Sequence, residues 1–222
     1  MSKDNMLDAL IEQTKRSKKQ TDKQQKIVET AIKMFAEKGY ANTSTSEIAK
    51  IAGVAEGTIF RHYGTKDNLL LSVILPFIKE ALPSMADNVF KEVIKDESIK
   101  FDDFLRGLIK NRIEFVMENR EIFQVLVKEL MYSEQLRKEL FPHFSEVIVK
   151  RISTLVEKYK ERREIINLPT ETLVRMFFTL FGGYLVSNFI LFSNRQEINV
   201  DVEVENLVMF VMNGIGSKNQ EM

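Results

Sequence analysis

Apolar positions recur along this chain at spacings of three and four, and no stretch alternates apolar and polar residues as a half-buried strand would. The pattern predicts an all-α protein of about nine to ten helices. Thr21 and Gln24 form a capping box ahead of Ile27, Ala31, Met34 and Phe35, and Gly39 supplies a stop. Ser44 with Glu47 repeats the box before Ile48, Ala49 and Ile51, and Gly53 ends that helix after about two turns. A third short helix begins near Ala55 and stops at Gly64. Thr65 caps a longer fourth one through Leu69, Leu70, Val73 and Ile74, with Pro76 inside it and Pro83 near its end. Further helices are expected near Ser84–Ile94, Ile99–Glu118, Arg120–Met131, Ser133–Arg162 with a break near Pro142, Thr170–Phe192 and Val200–Asn213.

One of these needs a membrane test, because nineteen uncharged residues run from Met176 to Asn194, close to a spanning length. Thr179, Gly182, Gly183, Ser187 and Asn188 dilute its hydrophobicity, and a helix apolar all round is also what a buried bundle helix looks like. No membrane span is expected. The N-terminus lacks the apolar stretch and small-residue cleavage site of an export signal, so a cytoplasmic location is expected.

Composition narrows the chemistry. The 222 residues are 44% apolar and 29% charged, an ordinary globular balance. With no cysteine, disulfides, thiolate metal sites and thiol nucleophiles are excluded, and His62 and His143 are the only histidines. No G-x-S-x-G, Walker loop, H-E-x-x-H or dinucleotide fingerprint occurs, so the expectation is a non-enzyme with no cofactor and no metal. His143, following Pro142, reads as a surface or satisfied core residue. The formal charge of zero conceals an uneven distribution: residues 1–66 carry twelve Lys or Arg against eight Asp or Glu, while the remainder carries twenty against twenty-four. Lys15, Arg16, Lys18, Lys19, Lys23 and Lys26 cluster with only Asp22 opposing them. Beside a nucleic-acid module such a run is an electrostatic footprint.

Ser44–Tyr63 sets a two-turn helix, a glycine-containing turn and a second short helix in about twenty residues, the helix-turn-helix arrangement. Ala49 and Ile59 are apolar on the facing sides, as bracing of the second helix requires. The residues T-S-E-I-A-K-I-A-G-V-A-E-G-T-I-F-R-H-Y-G-T-K-D-N-L-L, Thr45 to Leu70, closely resemble the DNA-binding signature of the TetR family of bacterial transcriptional repressors. The preceding helix, with Ala31, Phe35, Gly39 and Tyr40, fits the same pattern, and the resemblance covers Gln25–Leu71. It implies a flexible basic arm at 1–20, a three-helix DNA-binding domain at 21–66 and a helical ligand-sensing and dimerisation domain at 67–222. It also implies double-stranded operator DNA of near-palindromic sequence as partner, a homodimer, and release by a small apolar effector.

Carried over by position, the resemblance gives Glu56, Gly57, Thr58, Phe60 and Arg61 to the recognition helix, with His62 and Lys66 on phosphate. Several of these stand on their own physics. Ser44 and Thr45 sit where a helix N-terminus aims its amides at the DNA backbone, and Lys66 opens the next helix with charge and amides together. Thr58 is small enough for close groove approach, and Arg61 either reads a guanine edge or grips a phosphate. At Phe60 the family often has tyrosine; here the ring touches a thymine methyl or simply packs. Glu56 either accepts from a cytosine amino group or is a favourable charge at a helix N-terminus.

Eleven of the sixteen phenylalanines fall between Phe101 and Phe192. They read either as a large core or as the wall of an apolar effector pocket, for which Phe104, Leu108, Arg112, Phe115, Phe123, Val127, Met131, Phe178 and Phe181 are the candidates. Arg112 lies near the centre of an apolar helix face. It pairs with an internal carboxylate, snorkels outward, or meets the head group of an anionic amphiphile such as a fatty acid or acyl thioester. The last two helices resemble the family's dimerisation pair, with Gly182, Gly183, Leu185, Phe189, Leu207 and Phe210 at the interface. The leading expectation is a ligand-responsive repressor, an activator being compatible with the same module. The alternative is a helical lipid or small-molecule carrier, or a protein-interaction module, without sequence-specific DNA binding.

Overall fold

The computed structural model describes residues 21–94, 98–132, 134–192 and 198–215, and the basic arm expected at 1–20 lies outside them. Every regular element among the described residues is helical. In chain order they are α1 (Asp22–Lys38), α2 (Thr45–Ala52), α3 (Glu56–Tyr63), α4 (Lys66–Val93), α5 (Phe101–Glu118), α6 (Arg120–Tyr132), α7 (Glu134–Phe144), α8 (Lys150–Glu161), α9 (Thr170–Val186) and α10 (Val200–Ile215). π-Helical turns at Ser145–Val149 and Ser187–Leu191 extend α7 and α9.

Both capping boxes form: Thr21 and Gln24 cap α1 reciprocally, and Ser44 and Glu47 do the same for α2. Two expected breaks do not occur. Leu69, Leu70 and Leu71 near one end of α4 and Ala86 and Val93 near the other are buried, and the helix continues for 28 residues through Pro76 and Pro83. Each proline there removes one backbone donor from the ladder without ending the helix. At Pro142 the helix also continues, and the following turn relaxes to π geometry, with the Lys150 amide donating to the Ser145 carbonyl. His143 lies within α7.

The chain divides into two compact units. The first comprises the described residues up to Leu82 together with Glu118–Leu140. Its core contains Ile27, Ala31, Phe35, Ile48, Ile59 and Leu69, all fully buried. Each such side chain stabilises the fold by about 1.5–3 kcal/mol. A second cluster joins α4, α6 and α7 through Leu71, Leu136 and Leu140, flanked by Leu75, Leu126 and Leu130.

The second unit comprises Pro83–Met117 and the described residues from Phe141 onward. There α5 buries Phe101, Phe104, Leu105, Leu108, Ile109, Ile113 and Val116, and Tyr159 of α8 packs its ring 5.0 Å from Phe101 and 5.7 Å from Phe104. The long apolar helix differs from a buried bundle element. Thr170–Leu191 is, among the described residues, the one helix long and apolar enough to cross a membrane by length and composition, and 17% of its most apolar window is buried in the protomer.

Candidate nucleic-acid interface

The geometry of the helix pair begins at Gly53, whose φ of 69° and ψ of 35° place it in the left-handed region that a sharp turn needs. Its amide donates to the carbonyls of Ala49 and Lys50, and the Val54 amide donates to Ala49 at 3.0 Å. Ile48, Ala49 and Ala52 of α2 and Ile59 of α3 are buried, which fixes the opposite face of α3 outward. On that face Glu56, Gly57, Phe60, Arg61 and His62 are exposed, and Thr58 is half-buried. Arg61 makes no hydrogen bond or ion pair with the described residues, so its five donors are open to a nucleic-acid acceptor. Phe60 is 49% exposed, an apolar surface beside that cation.

Thr45 and Glu56 are joined directly: the Thr45 hydroxyl donates to the Glu56 carboxylate at 2.8 Å. The carboxylate thus ties the N-terminus of α2 to the N-terminus of α3, a bracing role outside both sequence readings. Ser44, the N-cap of α2, is exposed and shares its hydroxyl with Ser46 and Glu47. Hydrogen bonds from the Ser44 amide and hydroxyl and the charge of Lys38 hold the Glu47 carboxyl below its ordinary value.

Lys66 is half-buried and directs its ammonium to the carbonyls of Tyr40 and Thr43, each at 2.9 Å, while standing 4.2 Å above the Tyr40 ring. Two of its three donors therefore brace the α1–α2 turn. Sequence reasoning missed the residues that complete this cluster. The Tyr40 hydroxyl donates to Asp67, Lys128 of α6 donates to the other Asp67 oxygen at 2.6 Å, and the Tyr40 amide donates to Glu121. Thr43 is buried and its hydroxyl donates to the Gly39 carbonyl at 2.9 Å, closing the end of α1. Burial pushes the Asp67 carboxyl up, but the hydrogen bonds from Lys128 and Tyr40 and the charges of Lys128 and Lys66 outweigh it, so the net shift is downward. Tyr40, Thr43 and Asp67 lie within the stretch that carries the resemblance; nothing local marks Glu121 or Lys128.

The candidate effector residues divide between the units. Phe123, Val127 and Met131 lie on α6 in the first, where Met131 is 70% exposed. Phe104, Leu108, Arg112, Phe115, Phe178 and Phe181 lie in the second. Phe104 and Leu108 line an apolar cavity with Tyr159 and Phe177 that is nearly filled, about 30 Å³, room for one water-sized molecule. Arg112 donates through Nε to the Asn111 side chain at 3.0 Å, and its guanidinium lies 4.8 Å from the Phe115 ring centre. Phe178 packs edge-on against Phe144, and Phe181 stacks between Phe177 and Tyr184. Phe178 also lines an open groove of about 450 Å³ with Val149, Ser153, Val174, Arg175 and Thr179.

Along α9 and α10, Gly183 and Phe210 face outward, and a side chain built at Gly182 or Gly183 would meet no atom within 4 Å. Leu185 is half-buried, whereas Phe189 and Leu207 are buried within the protomer and present no interface surface. The exposed apolar face is instead made by Met176, Met209 and Phe210, beside a groove of about 430 Å³ that includes Leu180 and Gly214. Among the described residues no group of three or more acidic or histidine side chains is placed to hold a metal ion.

Residues 27–73 match the family model for bacterial regulatory proteins, tetR family. The chain is 30% identical over 152 residues to the HTH-type transcriptional regulator YerO of Bacillus subtilis, a match spanning 60% of this chain and about half, 51%, of that relative's length. It is 27% identical over 172 residues to the HTH-type transcriptional repressor AcnR of Corynebacterium glutamicum, covering 75% of this chain and 82% of that one. Its fold is similar to that of the transcriptional regulator FadR from Bacillus subtilis in complex with stearoyl-CoA, with a TM-score of 0.57, 19% identity, and 86% and 98% of the two chains covered. The signature of α1–α4 and the outward-facing α3 thus make residues 27–73 a helix-turn-helix segment of the tetR-family type.

Proposed function

We propose that this protein is a repressor that binds a near-palindromic operator as a homodimer and leaves it when a small apolar effector binds the second unit. The observation that carries the DNA-binding part is the outward face of α3, where Phe60, Arg61 and His62 stand exposed beside the N-terminus of α2. Arg61 and His62 meet base edges or phosphate, Thr58 and Gly57 permit close approach, and the amides following Ser44 meet the backbone. Lys66 contributes through the turn it braces and through the amides at the start of α4. The protein would act in the cytoplasm, with 1–20 as a basic arm, 21–66 as the DNA-binding domain and 67–222 as the sensing and dimerisation domain.

The dimer reading is supported by the exposed apolar face of α9 and α10, which a second copy would cover. The repressor and effector readings draw on the relatives: AcnR is named a repressor, and the FadR structure holds stearoyl-CoA. An anionic amphiphile such as a fatty acyl thioester fits the apolar second unit best, entering the cavity beside Phe104 and Leu108 by expanding it.

Selecting duplexes from a random library with the full chain tests the reading. The expected product is an inverted repeat, bound with steep salt dependence and released by stearoyl-CoA but not by coenzyme A alone. The apolar exposure of α9 favours one second reading, a lipid carrier. Binding to neutral vesicles with no duplex preference would select it.

A further inference from the structure

We propose that Glu121 and Lys128 of α6 are positioning residues for operator binding: they hold the Gly39–Thr43 turn, and through it the N-terminus of α2, in the form that meets DNA. The proposal rests on the DNA-binding reading above and assigns a role there to a helix outside the family signature.

Within the turn the Thr43 hydroxyl donates to the Gly39 carbonyl at 2.9 Å and the Asn42 side chain to the Lys38 carbonyl at 3.0 Å. The backbone bond inside it, from the Thr43 amide to the Tyr40 carbonyl, is 3.3 Å, longer than the usual range. Tyr40 packs its ring 5.2 Å from that of Phe35 on α1, and its polar groups are tied to α4 and α6. Its amide donates to Glu121, its carbonyl accepts from Lys66, and its hydroxyl donates to Asp67, which Lys128 grips from the other side. Glu121 and Lys128 are two turns apart on α6, hence on one face of that helix.

Gly39 borders this contact. Its φ of 82° with ψ of 155° is a conformation for glycine, and a Cβ there would stand 3.4 Å from both Glu121 carboxylate oxygens. The carboxylate thus stands at van der Waals distance from a Cβ at this position, and the positive φ is what favours glycine. Downstream, Thr43 precedes Ser44, the N-cap of α2, and Thr45 reaches Glu56 of α3. A turn released at Tyr40 thus loosens, in order, the α2 N-terminus and its bond to the recognition helix. Ordering that segment anew on each binding event reduces the competent fraction of the protein, and apparent affinity falls by that fraction.

The test compares the full-length wild type with Glu121→Ala, Glu121→Gln and Lys128→Met on the duplex that the wild type selects from a random library. Amide hydrogen exchange is followed at Tyr40 in the same proteins. Glu121→Ala is expected to weaken binding about tenfold and to speed Tyr40 exchange, while Glu121→Gln, which keeps an acceptor, recovers most of both. The slope of log affinity against log salt is expected to stay at the wild-type value in every variant, because neither residue touches phosphate. Glu121→Ala that binds normally with unchanged Tyr40 exchange overturns the proposal. So does a Lys128→Met slope reduced by about 0.9, which marks Lys128 as a phosphate contact. Should Glu121→Ala fail to fold, Lys128→Met and Glu121→Gln decide: wild-type affinity together with wild-type exchange in Lys128→Met refutes the tie. A wild type that selects no duplex defeats the DNA-binding reading itself, a result separate from variants that bind as well as the wild type.

Discussion

Phe210→Asp tests whether the exposed face of α9 and α10 is a subunit interface, and its effect can be worked from the protomer. Phe210 is 67% exposed, in company with Met209 at 60% and Met176 at 50%. A phenylalanine presents about 200 Å² of side chain, so a partner subunit would cover roughly 130 Å² of it, about 3 kcal/mol at about 25 cal/mol per Å². In a two-fold interface each residue counts twice, giving about 6 kcal/mol per dimer and a dissociation constant raised about ten-thousandfold. Sedimentation equilibrium at micromolar concentration should then find wild-type dimer and variant monomer. Helical circular dichroism and melting of the variant should be unchanged, because an exposed position costs the protomer about 0.5 kcal/mol or less. Phe189→Ala supplies the contrast: at 2% exposure it should lower protomer stability by about 3–5 kcal/mol without acting through the interface. Phe210→Asp that remains dimeric at micromolar concentration refutes the assignment of this face.

Other consequences follow from single geometries. Arg61→Met should weaken the selected duplex at all sequences or at one position, and should reduce the salt slope by about 0.9 if the guanidinium lies on phosphate; unchanged affinity removes Arg61 from the interface. Gly53→Ala meets no neighbour within 4 Å, so only the left-handed backbone opposes it; about 1 kcal/mol and a melting point lower by about 2–4 °C are expected. Arg163 has a φ of 58° at the end of α8, where the Glu164 amide donates to the Tyr159 carbonyl, a position suited to glycine. Arg163→Gly should raise stability by about 0.5–1 kcal/mol, measured by urea unfolding. The Asp67 carboxyl is held below its ordinary value, so its contribution is full above about pH 4 and is lost as pH falls through the lowered value. Urea unfolding at pH 7 and pH 3 should show Asp67→Asn less stable than wild type at pH 7 and the gap closing at pH 3.

The helix-turn-helix was legible because its information is local. Capping residues, apolar spacing and the positive-φ glycines at 39, 53 and 64 act within a few residues of where they stand in sequence. The expected helix limits fail where a strong local signal meets a tertiary one. Pro83 and Pro142 argue for breaks, yet α4 runs on through Pro83 and α7 runs through Pro142 into a π turn. The candidate site was legible in the exposed face of α3 and illegible in the contacts that hold it. Glu121 and Lys128 lie 81 and 61 residues from the groups they bind, and a lone acidic or basic residue on an amphipathic helix carries no mark of its partner. Arg112 shows the same limit from the other side: its position on the apolar face is readable, but its contacts with Asn111 and Phe115 lie on its own helix. The apolar length of α9 was readable; which residues of α9 and α10 turn inward, as Phe189 and Leu207 do, depends on packing.

Chain connectivity restricts how an event in the second unit could reach α3. The chain passes between the units at Leu82 to Pro83, Met117 to Glu118 and Leu140 to Phe141, and these three junctions fall inside α4, α5 and α7. None is a glycine- or serine-rich linker that would uncouple one unit from the other. The first junction ends on Pro83, and Pro142 follows the third by one residue, so two of the three helices lack a backbone donor at or beside the place where they change unit. A helix short of one ladder bond resists bending least at that point. Pro76 lies six residues inside the first unit and has no such position. An effector-driven change would thus be absorbed at Pro83 and Pro142 more readily than at Pro76. Glu121 and Lys128, which hold Tyr40 and Asp67, lie on α6 between the second and third junctions.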